Sequence, residues 1–186
     1  MNRLAIVYWS GTGNTEAMAE GIAEGAREAG AEVELMGPGE FSAARFSEFG
    51  AVAFGCPAMG SEVLEESEFD PMFTDLEGAL SGKKIALFGS YGWGDGQWMR
   101  DWCARCEAAN ANIYDENGLM AHETPDGEAL EACRELGRKL AAWECFPAVR
   151  PQRADVMIQS PFFLKAPARC AVRGRLLFSG LSAVER

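Results

Sequence analysis

The sequence predicts an α/β fold organised around a parallel sheet. Three observations carry the prediction. Leu4-Ala5-Ile6-Val7-Tyr8, Ala51-Val52-Ala53-Phe54 and Ile85-Ala86-Leu87-Phe88 are apolar without interruption, the pattern of strands covered on both faces. Amphipathic helical stripes separate these runs. Each run then opens into a loop rich in glycine, at residues 9–15, 56–64 and 89–97.

The elements follow in chain order. The first strand is 4–8. Residues 15–29 place Met18, Ile22, Ala26 and Ala29 on one stripe, with Glu16, Glu20, Glu24 and Glu28 outside it. Glu32-Val33-Glu34-Leu35 alternates, which suits an edge strand with one wet face. Strands over 51–54 and 85–88 come next, with a short helix near Pro71–Leu80 between them. Residues 97–109 align Trp98, Trp102, Cys106 and Ala109 on a helix face. A fifth strand falls within 111–121, broken by Asp115-Glu116-Asn117-Gly118. A last helix over 126–141 aligns Leu130, Cys133, Leu136 and Leu140. Strands alternating with helices imply right-handed crossovers. In such a sheet the ligand sits beyond the carboxyl ends of the strands, where the three glycine loops lie.

Composition sets the class. The chain has 186 residues, 48% hydrophobic and 24% charged, with a formal net charge of −11. That supports a packed core and excludes wholesale disorder. A strongly acidic balance argues against nucleic-acid binding, which needs Lys and Arg against phosphates. No apolar run approaches the ~18 residues of a membrane span, and the N-terminal run is too short for a signal peptide, so a cytoplasmic location is expected. The single histidine, His122, argues against His-based metal or triad chemistry. Six cysteines without a secretion signal read as thiols, not disulfides. Cys103-Ala104-Arg105-Cys106 has C-x-x-C spacing, but it falls inside a helical pattern and has no second close Cys pair to complete a zinc site.

The charge divides unevenly. Residues 1–142 hold 10 Lys and Arg against 25 Asp and Glu, a balance of −15; residues 143–186 hold 7 against 3, a balance of +4. Four X-Pro steps, ending in Pro147, Pro151, Pro161 and Pro167, punctuate the second part. A domain over 1–142 and a basic C-terminal extension over 143–186, without a recognised domain or function, are expected.

The first loop is Ser10-Gly11-Thr12-Gly13-Asn14-Thr15. It joins a buried strand to an acidic helix and offers hydroxyls, an amide and a row of N–H groups, an anion cradle made of dipoles. A Walker A loop would need Lys, and the first lysine is Lys83. A dinucleotide fingerprint would need glycine where Glu16 stands. No basic residue lies between Arg3 and Arg27, so neutral donors alone would hold a terminal phosphomonoester. The other two loops are Cys56-Pro57-Ala58-Met59-Gly60-Ser61-Glu62 and Gly89-Ser90-Tyr91-Gly92-Trp93-Gly94-Asp95-Gly96. An exposed Trp93 beside four glycines fits a planar aromatic ligand, with the polarisable Met59 for its opposite face.

Taken together, Tyr8–Glu16, Gly55–Glu62 and Leu87–Gly96 resemble the short-chain, clostridial-like flavodoxins of anaerobic bacteria in order and spacing over residues 1–142. The resemblance implies a doubly wound five-stranded parallel sheet, order 2-1-3-4-5, with helices on both faces. It implies one non-covalent FMN and low-potential one-electron transfer between semiquinone and hydroquinone, not catalysis on a substrate. By resemblance, Ser10, Thr12, Asn14 and Thr15 hold the phosphate with the backbone of Gly11 and Gly13. Pro57 occupies a place where the family often has a hydroxyl, so that contact is missing or replaced. Ser90 and Gly92 reach the ribityl chain or flavin edge, Trp9 lines the ribityl chain, and Met59 and Trp93 sandwich the ring. Glu62 accepts from flavin N3–H. Ala58, Ser61, Tyr91, Gly94 and Asp95 complete the loops.

Gly60 carries the mechanistic weight: its peptide can turn a carbonyl toward flavin N5 at low steric cost. A positive φ at Ser61 in that turn would cost about 1–3 kcal/mol. The acidic surface, including Glu62, Glu65, Glu66 and Glu68, would steer redox partners with basic docking faces to a monomeric carrier. Two other readings remain open at this stage, an FMN-dependent quinone or NAD(P)H reductase and a thiol-redox protein using Cys103 and Cys106.

Overall fold

The computed structural model describes residues 2–143. Its elements are β1 (Arg3–Tyr8), α1 (Asn14–Glu28), β2 (Glu32–Met36), β3 (Ala51–Gly55), α2 (Phe69–Leu76), β4 (Lys84–Tyr91), α3 (Gln97–Ala108), β5 (Asn112–Ile113), β6 (Leu119–His122) and α4 (Gly127–Ala141). All strand pairings are parallel, in the order β2-β1-β3-β4-β5, with β6 also paired to β4. β5 and β6 are two pieces of one fifth strand, split at Asp115–Gly118 as the sequence predicts. β2 is an edge strand, in keeping with its alternation. The extension beyond Trp143 lies outside the described residues.

The continuous apolar strands are explained by two cores. Along β1, Ala5 and Val7 face one side while Leu4 and Ile6 face the other. β3 and β4 divide in the same way: Val52, Phe54, Ile85 and Leu87 meet the first core, and Ala51, Ala53, Ala86 and Phe88 the second. The first core is aromatic. Phe54, Phe69, Phe73 and Trp102 meet in edge-to-face and stacked pairs with centroids 5.3–6.3 Å apart, a geometry favoured by ring quadrupoles.

The second core is formed by α1 and α4. Gly25 and Gly137 let their backbones approach closely: a Cβ on Gly25 would lie 1.9 Å from the Arg134 carbonyl oxygen, and one on Gly137 2.0 Å from that of Ile22. Ion pairs flank this contact, Arg134–Glu24 at 2.7 Å and Arg138–Glu28 at 3.0 Å. The helix stripes read from the sequence hold except at Ala29, which lies exposed just past the end of α1, and the glycines that set the α1–α4 distance interrupt the apolar pattern and gave no signal in it. Because α1 begins at the first glycine loop, this packing fixes where that loop stands.

Cys56, Cys103, Cys106 and Cys133 are buried free thiols. Burial pushes Cys56 and Cys106 up to about 12 and Cys103 up to about 11. A thiol in that state is neither nucleophile nor metal ligand at neutral pH. The C-x-x-C lies in the middle of α3, as its helical pattern implies.

Candidate functional site

β1, β3 and β4 all end at the same edge of the sheet, so the three loops converge there. A cavity of about 280 Å³ lies between them. Gly11, Thr12 and Asn14 come to it from the first loop, Pro57, Ala58 and Met59 from the second, and Ser90, Tyr91 and Gly92 from the third. Trp9 and Glu123 complete the wall. Among these residues there is no Lys, Arg or His. A second cavity of about 180 Å³, bounded by Ala86, Leu119 and Leu136 together with the charged Asp115, Glu135 and Lys139, lies between β4 and α4 away from the loops.

The first loop is tied down from within. Ser10 Oγ accepts from the N–H groups of Gly13 and Glu16 at 3.1 and 3.3 Å, which leaves its own proton to donate. Thr15 Oγ1 and Ser90 Oγ are 3.1 Å apart and both residues are buried. Their bond locks the first loop to the third. Gly11, Thr12 and Asn14 are the residues of this loop that line the cavity.

The second loop makes a narrow turn. Met59 and Val63 exchange backbone hydrogen bonds of 2.8 and 3.0 Å around Gly60, Ser61 and Glu62. Gly60 has φ 44 and Glu62 φ 55, so the left-handed positions of this turn are Gly60 and Glu62 and not Ser61. Open space surrounds the Cβ position of Gly60, so steric room for a peptide rotation exists.

Two carboxylates pin this loop to two helices. Glu62 Oε1 accepts from the N–H groups of Gly96 and Gln97, each at 2.9 Å, where α3 begins. Its other oxygen remains available. Glu65 accepts from the N–H groups of Ser67 at 2.8 Å and of Glu68 and Phe69 at 2.9 Å, and from the Ser67 hydroxyl, at the start of α2. Burial of Glu65 opposes its charge, but these donors prevail and bring its carboxyl down to about 2. The sequence reading placed Glu65 among surface charges; it is 6% exposed and serves as an internal cap. Of the four acidic residues named there, Glu66 and Glu68 are exposed.

The third loop leaves Trp93 61% exposed. Tyr91 packs against Trp98 and His122 with centroids at 5.5 and 5.1 Å. Asp95 pairs with Arg100 at 2.6 Å. Ser10, Gly13, Thr15, Gly60, Ser61, Glu62, Trp93, Gly94 and Asp95 therefore stand around the cavity without lining it. Glu123 was missed by the sequence reading. It follows β6, outside all three loops, and only strand pairing carries it to the wall.

The strand order and the position of this cavity define a doubly wound α/β protein with its ligand cavity where three strands end. The flavodoxin family profile matches residues 6–137. The flavodoxin of Clostridium beijerinckii is 47% identical over 138 residues, covering 74% of this chain and 99% of the relative. That of Megasphaera elsdenii is 46% identical over 136 residues, covering 73% and 96%. The solution structure of two-electron reduced Megasphaera elsdenii flavodoxin superposes with a TM-score of 0.66 at 45% identity, over 75% of this chain and 99% of that one. The chain belongs to the flavodoxin family. Its relatives bind FMN and carry electrons, and the residues present fit that cofactor: neutral donors for a phosphate, an open cavity beyond them, and an exposed indole for an aromatic ring. No described helix is long and apolar enough to cross a membrane.

Proposed function

We propose that residues 1–142 form a low-potential FMN carrier that passes single electrons between partner proteins and has no substrate chemistry of its own. The observation that carries this reading is the cavity without a cation at the carboxyl edge of the sheet. Bound FMN supplies one-electron chemistry. The protein supplies binding and electrostatics.

Ser10, Gly11, Thr12, Gly13, Asn14 and Thr15 would hold the phosphate, through hydroxyls, the Asn14 amide and N–H groups aimed by the start of α1. Pro57 brings neither N–H nor hydroxyl to that group. Ala58, Ser90, Tyr91 and Gly92 would border the polyol chain and the ring edge. Met59 and Trp93 would exclude water from the two ring faces, with Gly94 and Asp95 shaping the Trp93 loop. Gly60 would let the turn with Ser61 present a carbonyl to the ring. Glu62 would use the oxygen that α3 leaves available to accept a ring N–H.

The surrounding charge of −15 over residues 1–142 disfavours further negative charge on the cofactor, which lowers its potential. The same charge suits partners with basic docking faces and brief, salt-sensitive contacts. A monomeric, cytoplasmic protein fits this role. A reductase would need a second pocket for a nicotinamide or quinone beside the ring, and no inserted loop builds one among the described residues. An anaerobic spectral titration of the purified protein with FMN and a reductant tests the reading. Stoichiometric FMN uptake and two separated one-electron steps are expected. NAD(P)H oxidation without any partner protein would overturn it.

A further inference from the structure

Trp93 stands in a loop that its own backbone does not hold. Gly92, Gly94 and Gly96 surround it, and Gly94 and Gly96 are left-handed, with φ 90 and 88. Among the described residues, Gly92, Trp93, Gly94 and Asp95 make no backbone–backbone hydrogen bond. Glycine has more conformational freedom to lose on ordering than any other residue. A loop of this kind that became ordered only around a ligand would subtract that ordering from affinity.

Two side chains hold it instead. From the second loop, Glu62 accepts from the N–H groups of Gly96 and Gln97. From the first turn of α3, Arg100 grips Asp95 at two points: Nη1 donates to its carbonyl at 2.8 Å and Nη2 to its Oδ1 at 2.6 Å. Gln97 Oε1 accepts from Arg100 Nε at 3.2 Å and from Nη2 at 2.8 Å. Gln97 Nε2 in turn donates to Asp101 at 2.7 Å. The planar guanidinium is therefore oriented by its own helix where it meets the loop. Asp95 is the second residue after Trp93, so this grip fixes the chain just beyond the indole. The Asp95 carboxylate pairs with the guanidinium, and the clamp adds no net charge beside the cavity.

We propose that Arg100 is a positioning residue for Trp93: it holds the glycine loop in the shape in which the indole receives the ring. This rests on the FMN reading above, in which Trp93 covers one ring face. The side chains of the pair are 49% and 79% exposed, so water screens it and the effect on affinity is a modest one. The full-length protein freed of flavin is titrated with FMN, followed by flavin fluorescence, in a double-mutant cycle of Arg100→Met and Trp93→Ala. Methionine keeps an unbranched, helix-forming side chain and removes every donor. Arg100→Met should weaken FMN binding about fourfold while Trp93 is present and leave it unchanged in the Trp93→Ala protein. Asp95→Ala removes the opposite charge. It should also weaken binding, by about twofold, because Arg100 keeps the carbonyl at position 95.

Equal losses with and without Trp93 would assign Arg100 to the stability of α3 or to attraction for the phosphate, and would overturn the proposal. Opposite effects of Arg100→Met and Asp95→Ala, the mark of long-range charge, would overturn it too, as would no loss in either. If thermal melts show Arg100→Met unfolded, the cycle of Asp95→Ala with Trp93→Ala decides by the same criterion. Failure of the unaltered protein to bind FMN would instead overturn the cofactor reading, and the proposal with it.

Discussion

Replacing Glu65 by Gln should make the protein less stable in a way that depends on pH. Four donors converge on the Glu65 carboxylate, three of them backbone N–H groups at the start of α2. Burial works against the charge, yet the carboxyl falls from its ordinary 4.5 to about 2. That difference is worth up to about 3 kcal/mol when the group is fully ionised. A carboxyl lowered in the folded state binds fewer protons than in the unfolded chain, so stability rises with pH. The contribution is complete above about pH 4.5 and is lost as pH falls toward 2. Between pH 6 and pH 3 the gap between the two proteins should shrink by about 2 kcal/mol. Urea denaturation at several pH values, read by far-ultraviolet circular dichroism, measures it. A gap that stays constant with pH would mean that Glu65 contributes packing alone, and the capping argument would fail.

Gly25→Ala should cost about 2 kcal/mol. Its Cβ would strike the Arg134 backbone at 1.9 Å, and that clash outweighs the ~1 kcal/mol that Ala gains over Gly in a helix. Gly78→Ala, with no atom within 4 Å, is the control that should lose nothing in a thermal melt. Pro57→Ser should tighten FMN binding about tenfold and leave riboflavin unchanged, because the new hydroxyl serves the phosphate; equal gains for both ligands would refute that placement. Cys103→Ser with Cys106→Ser should leave electron transfer intact, and the thiols of Cys103 and Cys106, followed by mapping the labelled residues, should react with a thiol reagent only on unfolding, since burial holds them up to about 11 and 12. A rapid reaction of either in the folded protein would reopen the thiol-redox reading.

The sheet was legible because its cause is local. Residues such as Ile6, Ala53 and Ala86 sit in runs that are apolar on both sides, and only strands covered by two helical layers need that pattern. The broken fifth strand was legible too, because Asp115–Gly118 is turn chemistry inside an apolar stretch. The first loop stood out through an excess of donors over what a helix cap requires. Other features were hidden because they depend on distance in space. Glu62 and Glu65 look alike in sequence, three residues apart on an acidic run. Which carboxylate reaches α3 and which is buried under α2 depends on where those helices begin. The bond between Thr15 and Ser90 joins two loops 75 residues apart and has no local signal. Glu123 has no motif, and its place in the wall follows from the β4–β6 register.

The pocket chemistry also decides between two ways of holding an anion. A lysine in the first loop would grip a phosphate more strongly than hydroxyls do, since a full charge adds to the hydrogen bond. It would also stand beside the redox centre and favour every added electron. Each 1.4 kcal/mol of such stabilisation raises a one-electron potential by about 59 mV. The chain avoids that cation. The start of α1 lends only a fraction of a charge that fades within one turn, which under the proposed placement would serve the phosphate and be weak beyond it. The start of α3 is capped by the Glu62 carboxylate, which matches its partial positive charge. Affinity and reducing power would conflict in a cationic site; a site of helix ends and hydroxyls, as proposed here, would keep them separate.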